Sequence, residues 1–287
     1  MNQAIESMLA KFPRNNWESQ VNALREVIQD LTLLGLWRGK FFEHAAFYGG
    51  TALRTLHQLD RFSEDMDFSL IEPDPGFSLD PYFRYIEDEL NSFGFTVTVM
   101  PKVKSPENQI HSAFLKADTI TQVMVLDSSV VIPSTGPMII LKIKIEIDVN
   151  PPAFFQTEVR RLLLPIPFSV KAYTLPYLFA GKMHAILFRS WKQRVKGRDW
   201  YDLIWFIARK VPLDMRHLEE RMRQTGNWTG SAPLTSFAIT ELYSERIDRL
   251  DIEQAKFDCR RFIQRPDVLD SWSKDFFKDL LPMILYQ

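Results

Sequence analysis

Two periodicities divide the chain into a first half of mixed character and a helical second half. Apolar residues recur at helical spacing through residues 21–34, which predicts a long helix that ends near Gly35. Polar and apolar positions alternate through residues 65–70 and 138–150, and each of these patterns predicts a strand with one buried face. Helical spacing returns after Pro176. These patterns together predict an α+β fold, with a mixed sheet in the first half and helices in the second.

Shorter patterns fill in the remaining elements. Within the first half, a helix is predicted over residues 82–93, with Gly94 as its stop. Further strands are predicted over residues 95–99, 114–117 and 122–126, and a turn over residues 133–137. Helices of the second half are predicted over residues 177–191, 198–210, 214–225, 232–247, 251–264 and 266–285. Prolines cluster near residues 165–176, so we predict one domain over residues 1–170 and a helical domain over residues 171–287.

Composition narrows the class of protein. The 287 residues are 46% hydrophobic and 25% charged, which is typical of a globular protein with a substantial core. A net charge of −1 means that any contact with nucleic acid needs a local basic patch. The single cysteine, Cys259, excludes an internal disulfide and a cysteine-based metal site. The chain shows neither a signal-peptide pattern nor an apolar run of membrane-spanning length, so we expect a cytoplasmic protein without a membrane contact.

A glycine pair between a predicted strand and a predicted helix is the first candidate for binding chemistry. The apolar run of residues 45–48 ends at Gly49 and Gly50, and Thr51 follows at the start of the helix. Glycine accepts positive φ and allows close approach to the backbone, and the free amides of a helix N-terminus favour an anion. A glycine pair alone usually marks an ordinary turn, but this position between strand and helix favours a phosphate-binding loop.

Two aspartates follow shortly after this loop. Asp65 and Asp67 are two residues apart in the predicted strand and therefore share one face. Neighbouring carboxylates raise each other's pKa unless a cation lies between them, and Mg²⁺ prefers such oxygen ligands together with substrate phosphates. An isolated Asp-x-Asp is usually a solvated strand face. Its place directly after the glycine loop instead favours a metal site that faces a bound phosphate.

The strand predicted over residues 138–150 offers further carboxylates. Glu146 and Asp148 share a face with Lys142, Lys144 and Asn150, whereas isoleucines occupy the other face. One interpretation is an exposed edge strand with solvated charges. The other is that Glu146 or Asp148 supplies a third carboxylate beside Asp65 and Asp67, and the first motif favours this second interpretation.

A second cluster of charged residues lies in the helical half. Lys182, Asp199 and Asp202 lie on two successive predicted helices, and the densest basic segment of the chain runs between them. This segment contains four cationic side chains: Lys192, Arg194, Lys196 and Arg198. These residues are either an ordinary solvated surface or a site that faces the triphosphate of a nucleotide. No P-loop, dinucleotide-binding or nucleophile-elbow motif is present.

The combination of these motifs resembles the AbiEii/AbiGii-type toxins of the DNA polymerase β-like nucleotidyltransferase superfamily. The matching segments are Gly49–Arg54, Arg61–Asp67, Lys144–Asp148 with Asn150-Pro151-Pro152, Lys182, and Arg198–Leu203. The resemblance implies a nucleotidyltransferase domain followed by a helical domain. It also implies a toxin of a toxin–antitoxin or phage-defence system, paired with a separately encoded antitoxin. Such relatives transfer a nucleotide from an NTP, and some modify the 3′ acceptor end of tRNA.

The resemblance implies roles for individual residues. Asp65 and Asp67, with Glu146 or Asp148, are expected to bind Mg²⁺ and to carry catalysis together with Lys182 and Asp199. The nucleotide-binding residues are expected to be Gly49, Gly50, Thr51, Arg54, Ser63, Lys182, Asp199 and Asp202. The basic segment is expected to bind the acceptor. Two alternatives stay open: a nucleotide-binding toxin without transfer chemistry, and an antibiotic-type nucleotidyltransferase that acts on a small molecule.

Overall fold

The computed structural model describes residues 3–12, 16–101, 119–127, 140–189 and 195–287. These residues form two compact units, which are described separately below. The first unit comprises Met1–Leu56, Glu64–Pro151 and Glu158–Ala172. The second comprises His57–Ser63, Pro152–Thr157 and Tyr173–Gln287. The strand and the turn predicted over residues 114–117 and 133–137 lie outside the described residues.

The first unit is built around a seven-stranded mixed sheet. Its helices are α1 (Gln3–Leu9), α2 (Trp17–Arg38), α3 (Gly49–His57) and α4 (Asp80–Ser92). Its strands are β1 (Ala45–Tyr48), β2 (Met66–Leu70), β3 (Thr96–Pro101), β4 (Thr119–Asp127), β5 (Ile140–Asp148), β6 (Thr157–Leu162) and β7 (Phe168–Tyr173). The strand order is β3-β4-β5-β2-β1-β7-β6. The pairs β2–β5 and β1–β7 are parallel, whereas β1–β2, β3–β4 and β4–β5 are antiparallel. This mixed sheet confirms the predicted α+β class.

The position of β5 corrects one interpretation of its charged face. β5 lies between β4 and β2 in the middle of the sheet, so the interpretation of this segment as an exposed edge strand is wrong. Ile143, Ile145 and Ile147 are fully buried, which explains why the sequence alternates so regularly. The charged face of β5 therefore lies beside β2, where Glu146 is the register partner of Asp67.

Gly35 lies inside α2, which continues to Arg38, so the predicted helix end at this glycine is wrong. A Cβ atom at position 35 would lie 2.7 Å from the Cα atom of Ile86 in α4. The glycine is required because the two helices approach closely at this point, and not because the helix ends there.

Aromatic side chains form the core beneath the candidate site. Phe68 of β2 stacks on Phe47 of β1 with 5.0 Å between the ring centroids, and Phe41 meets the Phe68 ring edge-on at 5.1 Å. All three side chains are fully buried. This packing fixes β1 and β2, the two strands that lead to the glycine pair and carry Asp67.

The second unit is mainly helical. Its α-helices are α5 (Leu175–Phe188), α6 (Gly197–Ala208), α7 (Met215–Gln224), α8 (Ser236–Asp248), α9 (Ile252–Arg260) and α10 (Lys274–Asp279). Phe179 of α5 stacks on Phe206 of α6 at 4.6 Å, and Trp200 of α6 packs on Phe277 of α10 at 4.9 Å. These aromatic contacts give the unit a core of its own. No helix in the described residues is long and apolar enough to cross a membrane.

Two differences from the predicted elements have local causes. The single helix predicted over residues 266–285 is wrong, because a 3-10 helix over Pro266–Ser271, α10 and a 3-10 helix over Leu281–Met283 occupy this segment. Ser273 interrupts it, since its hydroxyl accepts a hydrogen bond from the amide of Phe276 and begins a new helix. Strands β6 and β7 were not predicted. β6 lacks a buried face, whereas β7 is short but alternates, with Phe168, Val170 and Ala172 buried.

Candidate active site

The junction of β1 and α3 places a glycine directly against an aspartate. Gly49 begins α3 with φ of 82°, a conformation that side-chain-bearing residues rarely adopt. A Cβ atom at position 49 would lie 3.0 Å from both Cβ and Cγ of Asp67 and would clash with its Oδ2. The antiparallel pairing of β1 with β2 creates this contact, because Tyr48 is the register partner of Asp67. Glycine is therefore required here by the backbone conformation and by the neighbouring carboxylate.

Thr51 anchors the segment that leads into β2. Its buried hydroxyl donates a hydrogen bond to the backbone carbonyl of Asp65, the residue immediately before β2. Thr51 was predicted to bind the nucleotide, but its hydroxyl has this backbone partner within the protein. The contact holds the Asp65 backbone against the first turn of α3.

The pairing of β2 with β5 decides which carboxylate of β5 lies next to Asp67. Asp67 is the register partner of Glu146, and Ser69 is the register partner of Asp148. Partners on neighbouring strands project from the same face and lie about 5 Å apart, so the Asp67 and Glu146 side chains are direct neighbours. Asp148 lies two residues further along β5, and its Oδ1 accepts a hydrogen bond of 3.1 Å from the amide of Asn150 where the strand ends.

The donor set fits a divalent cation that substrate phosphates would complete. Asp67 and Glu146 supply two half-buried carboxylates on one sheet face, and Glu146 is also in contact with Lys144 Nζ at 2.5 Å. Among the described residues, no group of three or more His, Cys, Asp or Glu side chains is arranged to hold a metal ion. Mg²⁺ is commonly bound through only one or two carboxylates plus substrate phosphates and water. The predicted third carboxylate ligand therefore stays a prediction.

Arg54 and Ser63 were both predicted to bind the nucleotide. Arg54 forms an ion pair within the protein, and Ser63 is buried. The Arg54 Nε atom lies 3.0 and 3.1 Å from the two carboxylate oxygens of Glu26, a buried residue of α2. This ion pair links α3 to α2. Ser63 is buried and belongs to the segment His57–Ser63 of the second unit.

In the second unit, Lys182 is held between two buried aspartates. Its Nζ atom lies 3.0 Å from Asp199 Oδ1 and 2.8 Å from Asp202 Oδ2. Burial alone would raise the pKa of Asp199, but the positive charges of Lys182 and Arg189 outweigh it and hold this pKa well below its usual value. The predicted positioning of Lys182 by Asp199 therefore has a direct contact to support it.

The same network contains an arginine for which no role was predicted. The Arg61 Nε and Nη2 atoms each donate a hydrogen bond of 2.6 Å to Asp202, in a bidentate pair with almost no solvent exposure. Burial opposes the charge of Arg61, but Asp202 raises the pKa of its guanidinium. Asp202 is thus shared between Arg61 and Lys182. The sequence holds only a weak signal for this role, since Arg61 lies between Asp60 and the apolar Phe62.

A comparison with protein-family models shows which family the chain belongs to. The model of the AbiEii nucleotidyl transferase toxins of type IV toxin–antitoxin systems matches residues 32–280. The chain belongs to the AbiEii family. This AbiEii protein is accordingly a nucleotidyltransferase toxin, and membership implies an NTP substrate and an antitoxin partner. No curated protein sequence matches the chain significantly.

Solved structures agree on the fold. MenT4, a nucleotidyltransferase toxin from Mycobacterium tuberculosis, is 16% identical, with a TM-score of 0.51 over 97% of this chain and 98% of its own. JHP933 from Helicobacter pylori is 15% identical, with a TM-score of 0.52 over 91% of this chain and 89% of its own. At such low identity these similarities establish the shared fold alone.

The described members of the basic segment in this AbiEii protein are partly enclosed. The Arg198 guanidinium lies 3.8 Å from the centroid of the Phe262 ring and 3.5 Å from Asp258, with only 11% of the side chain exposed. Burial lowers the pKa of Lys196 to about 8, although Asp199 acts in the opposite direction. Lys192 and Arg194 lie outside the described residues. The acceptor-binding role predicted for all four residues stays a prediction.

Proposed function

We propose that this AbiEii protein transfers a nucleotide from a Mg²⁺-bound NTP to an RNA acceptor, such as the 3′ end of tRNA. It would act as a cytoplasmic toxin in phage defence until a separately encoded antitoxin neutralises it. The observation that carries the proposal is the arrangement of Gly49, Asp67 and Glu146. A helix that begins at a glycine of positive φ, a neighbouring carboxylate that requires this glycine, and a second carboxylate in register occur together. Family membership supports the class of reaction.

The glycine loop would bind the triphosphate. The backbone amides at the N-terminus of α3 carry partial positive charge, and Gly50, like Gly49, adds no side chain that would obstruct a phosphate. Asp65, Asp67 and Glu146 would hold the metal, with Asp148 as the less favoured alternative to Glu146. The metal, when bound, neutralises phosphate charge and lowers the pKa of the attacking hydroxyl. Thr51 would act by positioning Asp65 and not by touching the phosphate.

Lys182 would supply charge to the phosphate oxygens. Its ammonium is a point charge in contact with both Asp199 and Asp202. In the reaction, the acceptor hydroxyl oxygen forms a bond to the α-phosphorus and loses its proton. The bond to the bridging oxygen breaks, and pyrophosphate leaves with that electron pair. Catalysis would then consist mainly of positioning and charge stabilisation.

A labelled-nucleotide assay tests this proposal against the two alternatives. The purified protein is incubated with each α-labelled NTP, with and without Mg²⁺, and with either total tRNA or a panel of aminoglycosides. We expect label on tRNA and release of pyrophosphate only with Mg²⁺. NTP binding without transfer would support the nucleotide-binding alternative. Label on an aminoglycoside would support the small-molecule alternative.

In the same assay, Lys182→Ala should lose at least about tenfold in turnover, whereas Lys278→Ala, which removes an exposed ion pair with Asp248, should not.

A further inference from the structure

One helix of the second unit exposes an aromatic ring among unpaired arginines. Phe257 of α9 is 83% exposed, more than any other large hydrophobic side chain in the described part of the chain. Arg260, Arg261 and Arg265 follow it and are also exposed. Across the described ranges, none of these three arginines forms an ion pair with a carboxylate. We refer to Phe257, Arg260, Arg261 and Arg265 as the α9 surface.

The α9 surface is continuous with the end of the basic segment. The amide of Val195 donates a hydrogen bond of 2.7 Å to the side chain of Gln254 in α9. Gly197, the first residue of α6, lies so close to α9 that a Cβ atom there would be 2.7 Å from the carbonyl carbon of Ala255. The segment that the sequence marked as the densest cluster of positive charge therefore ends directly on α9.

A shared aromatic ring joins the two basic elements. The buried ring of Phe262 carries the Arg198 guanidinium at 3.8 Å and the Arg261 guanidinium at 4.7 Å from its centroid. Cation–π contacts of this kind limit the motion of both side chains. Arg198 is largely enclosed, so the exposed positive charge of this region lies on the α9 surface.

A second exposed phenylalanine has acidic surroundings. Phe237 of α8 is 71% exposed, but the next two turns on its side of the helix present the exposed carboxylates of Glu241 and Glu245. A polyanion would be repelled there. On α9 the exposed residues that follow Phe257 are Arg260 and Arg261. The exposed acid one turn before it, Glu253, is paired with Lys256 at 2.9 Å, so the surroundings of Phe257 carry net positive charge and attract phosphate.

We propose that the α9 surface binds a single-stranded segment of the RNA acceptor. Phe257 stacks on a base, and Arg260, Arg261 and Arg265 neutralise the flanking phosphates. An exposed aromatic ring beside cationic side chains is the arrangement by which proteins bind single strands without strict sequence preference. The inference rests on the proposed transfer to RNA and adds the surface that holds the acceptor.

Fluorescence anisotropy of the full-length protein with a labelled single-stranded RNA of roughly 10 nucleotides tests this surface directly. Phe257→Ala should raise the Kd about tenfold, which is within the range of one lost base stack. Phe237→Ala is the matched control and should leave the Kd unchanged. Because both rings are exposed, neither variant is expected to alter folding, and thermal unfolding of each variant checks this.

Charge removal supplies an independent readout. Replacing Arg260 and Arg265 together with alanine should weaken binding and reduce the slope of log Kd against log salt concentration by about one to two, because fewer counterions are released. Arg249→Gln, at an exposed arginine in an ion pair with Glu245, is the control and should retain the slope. A polyanion attracted only by general charge would respond to these arginines but not to Phe257.

The possible outcomes separate this inference from the proposed function. If Phe257→Ala binds RNA as tightly as the unaltered protein, or if the unaltered protein does not bind single-stranded RNA, the α9 surface is not the acceptor site. Nucleotide transfer is measured separately, and there Phe257→Ala should raise KM for the RNA acceptor while retaining kcat. Binding that depends on Phe257 without any transfer would overturn the proposed function and leave the α9 surface established.

Discussion

At the scale of single residues, the candidate site depends on how two carboxylates are brought together. Asp67 and Glu146 are far apart in the sequence, and the parallel register of β2 with β5 makes them neighbours. A shift of the register by two residues would have placed Asp148 beside Asp67 instead. Gly49 completes the site because any side chain there would displace the Asp67 carboxylate.

This register predicts unequal effects for the two carboxylates of β5. Glu146→Gln should lower turnover about 100-fold, since a charge next to the reacting phosphates is lost. Asp148→Asn should lose less than about tenfold, and its side-chain oxygen can still accept the hydrogen bond from Asn150. Steady-state kinetics with saturating NTP measures both. Equal losses, or a larger loss in Asp148→Asn, would show that the register does not select the catalytic carboxylate.

A second residue-scale prediction concerns Asp30, a partly buried acid in α2. Burial raises the pKa of Asp30 to about 7, against the positive charges of Lys11 and Arg54, and Glu26 raises it further. Between about pH 4 and pH 7, folded Asp30 therefore keeps a proton that the unfolded chain has lost. The free energy of unfolding falls as pH rises through this range, and the loss is complete above about pH 7.

Asp30→Asn should remove this dependence. Above pH 7 the variant should be more stable by up to about 4 kcal/mol, the equivalent of a pKa difference of about three, and the gain should shrink towards pH 4. Urea unfolding at pH 5 and pH 8 measures the difference, with Asp88→Asn on the exposed side of α4 as control. A gain that is the same at both pH values would contradict the assignment of the proton to Asp30.

At the scale of elements, the packing of helices and strands on one another determines helix ends and strand positions that local sequence leaves ambiguous. α2 is 22 residues long and packs against α4, where Gly35 meets the backbone of Ile86. Local sequence does not indicate this partner, so a glycine at the end of an apolar stripe predicts a helix end. The pattern of β5 was visible in the sequence, but its central position was not, because alternation does not tell which strands lie on either side.

Gly35→Ala should destabilise the protein although alanine is the better helix former. The propensity gain is about 1 kcal/mol, but the added methyl group must displace α4 backbone, and overpacking of this kind costs about 1–3 kcal/mol. The net effect should be a lower urea midpoint. Gly230→Ala, where a Cβ atom would meet open space, is the control. An increase in stability at position 35 would show that α4 can move away at little cost.

At the scale of the whole molecule, the residues predicted for the site belong to two compact units. The first holds the glycine loop with Asp67 and Glu146, and the second holds Lys182 with its two aspartates. Residue types and their order in the sequence were enough to predict the family and the α+β class, because short motifs retain the glycines and charges that the chemistry requires. The Arg61–Asp202 pair was not predictable in this way, since its members are 141 positions apart and only the fold brings them together.

The central claim is that Asp67, placed by β2 against the glycine loop, is essential for nucleotidyl transfer by this AbiEii protein. The direct measurement compares incorporation of α-labelled NTP into RNA by the unaltered protein, by Asp67→Asn and by Glu72→Gln, an exposed acid shortly after the same strand. Thermal unfolding confirms that all three are folded. We expect Asp67→Asn to lose at least about 100-fold in transfer, and Glu72→Gln to keep full activity. Transfer by folded Asp67→Asn at the rate of the unaltered protein would contradict the account.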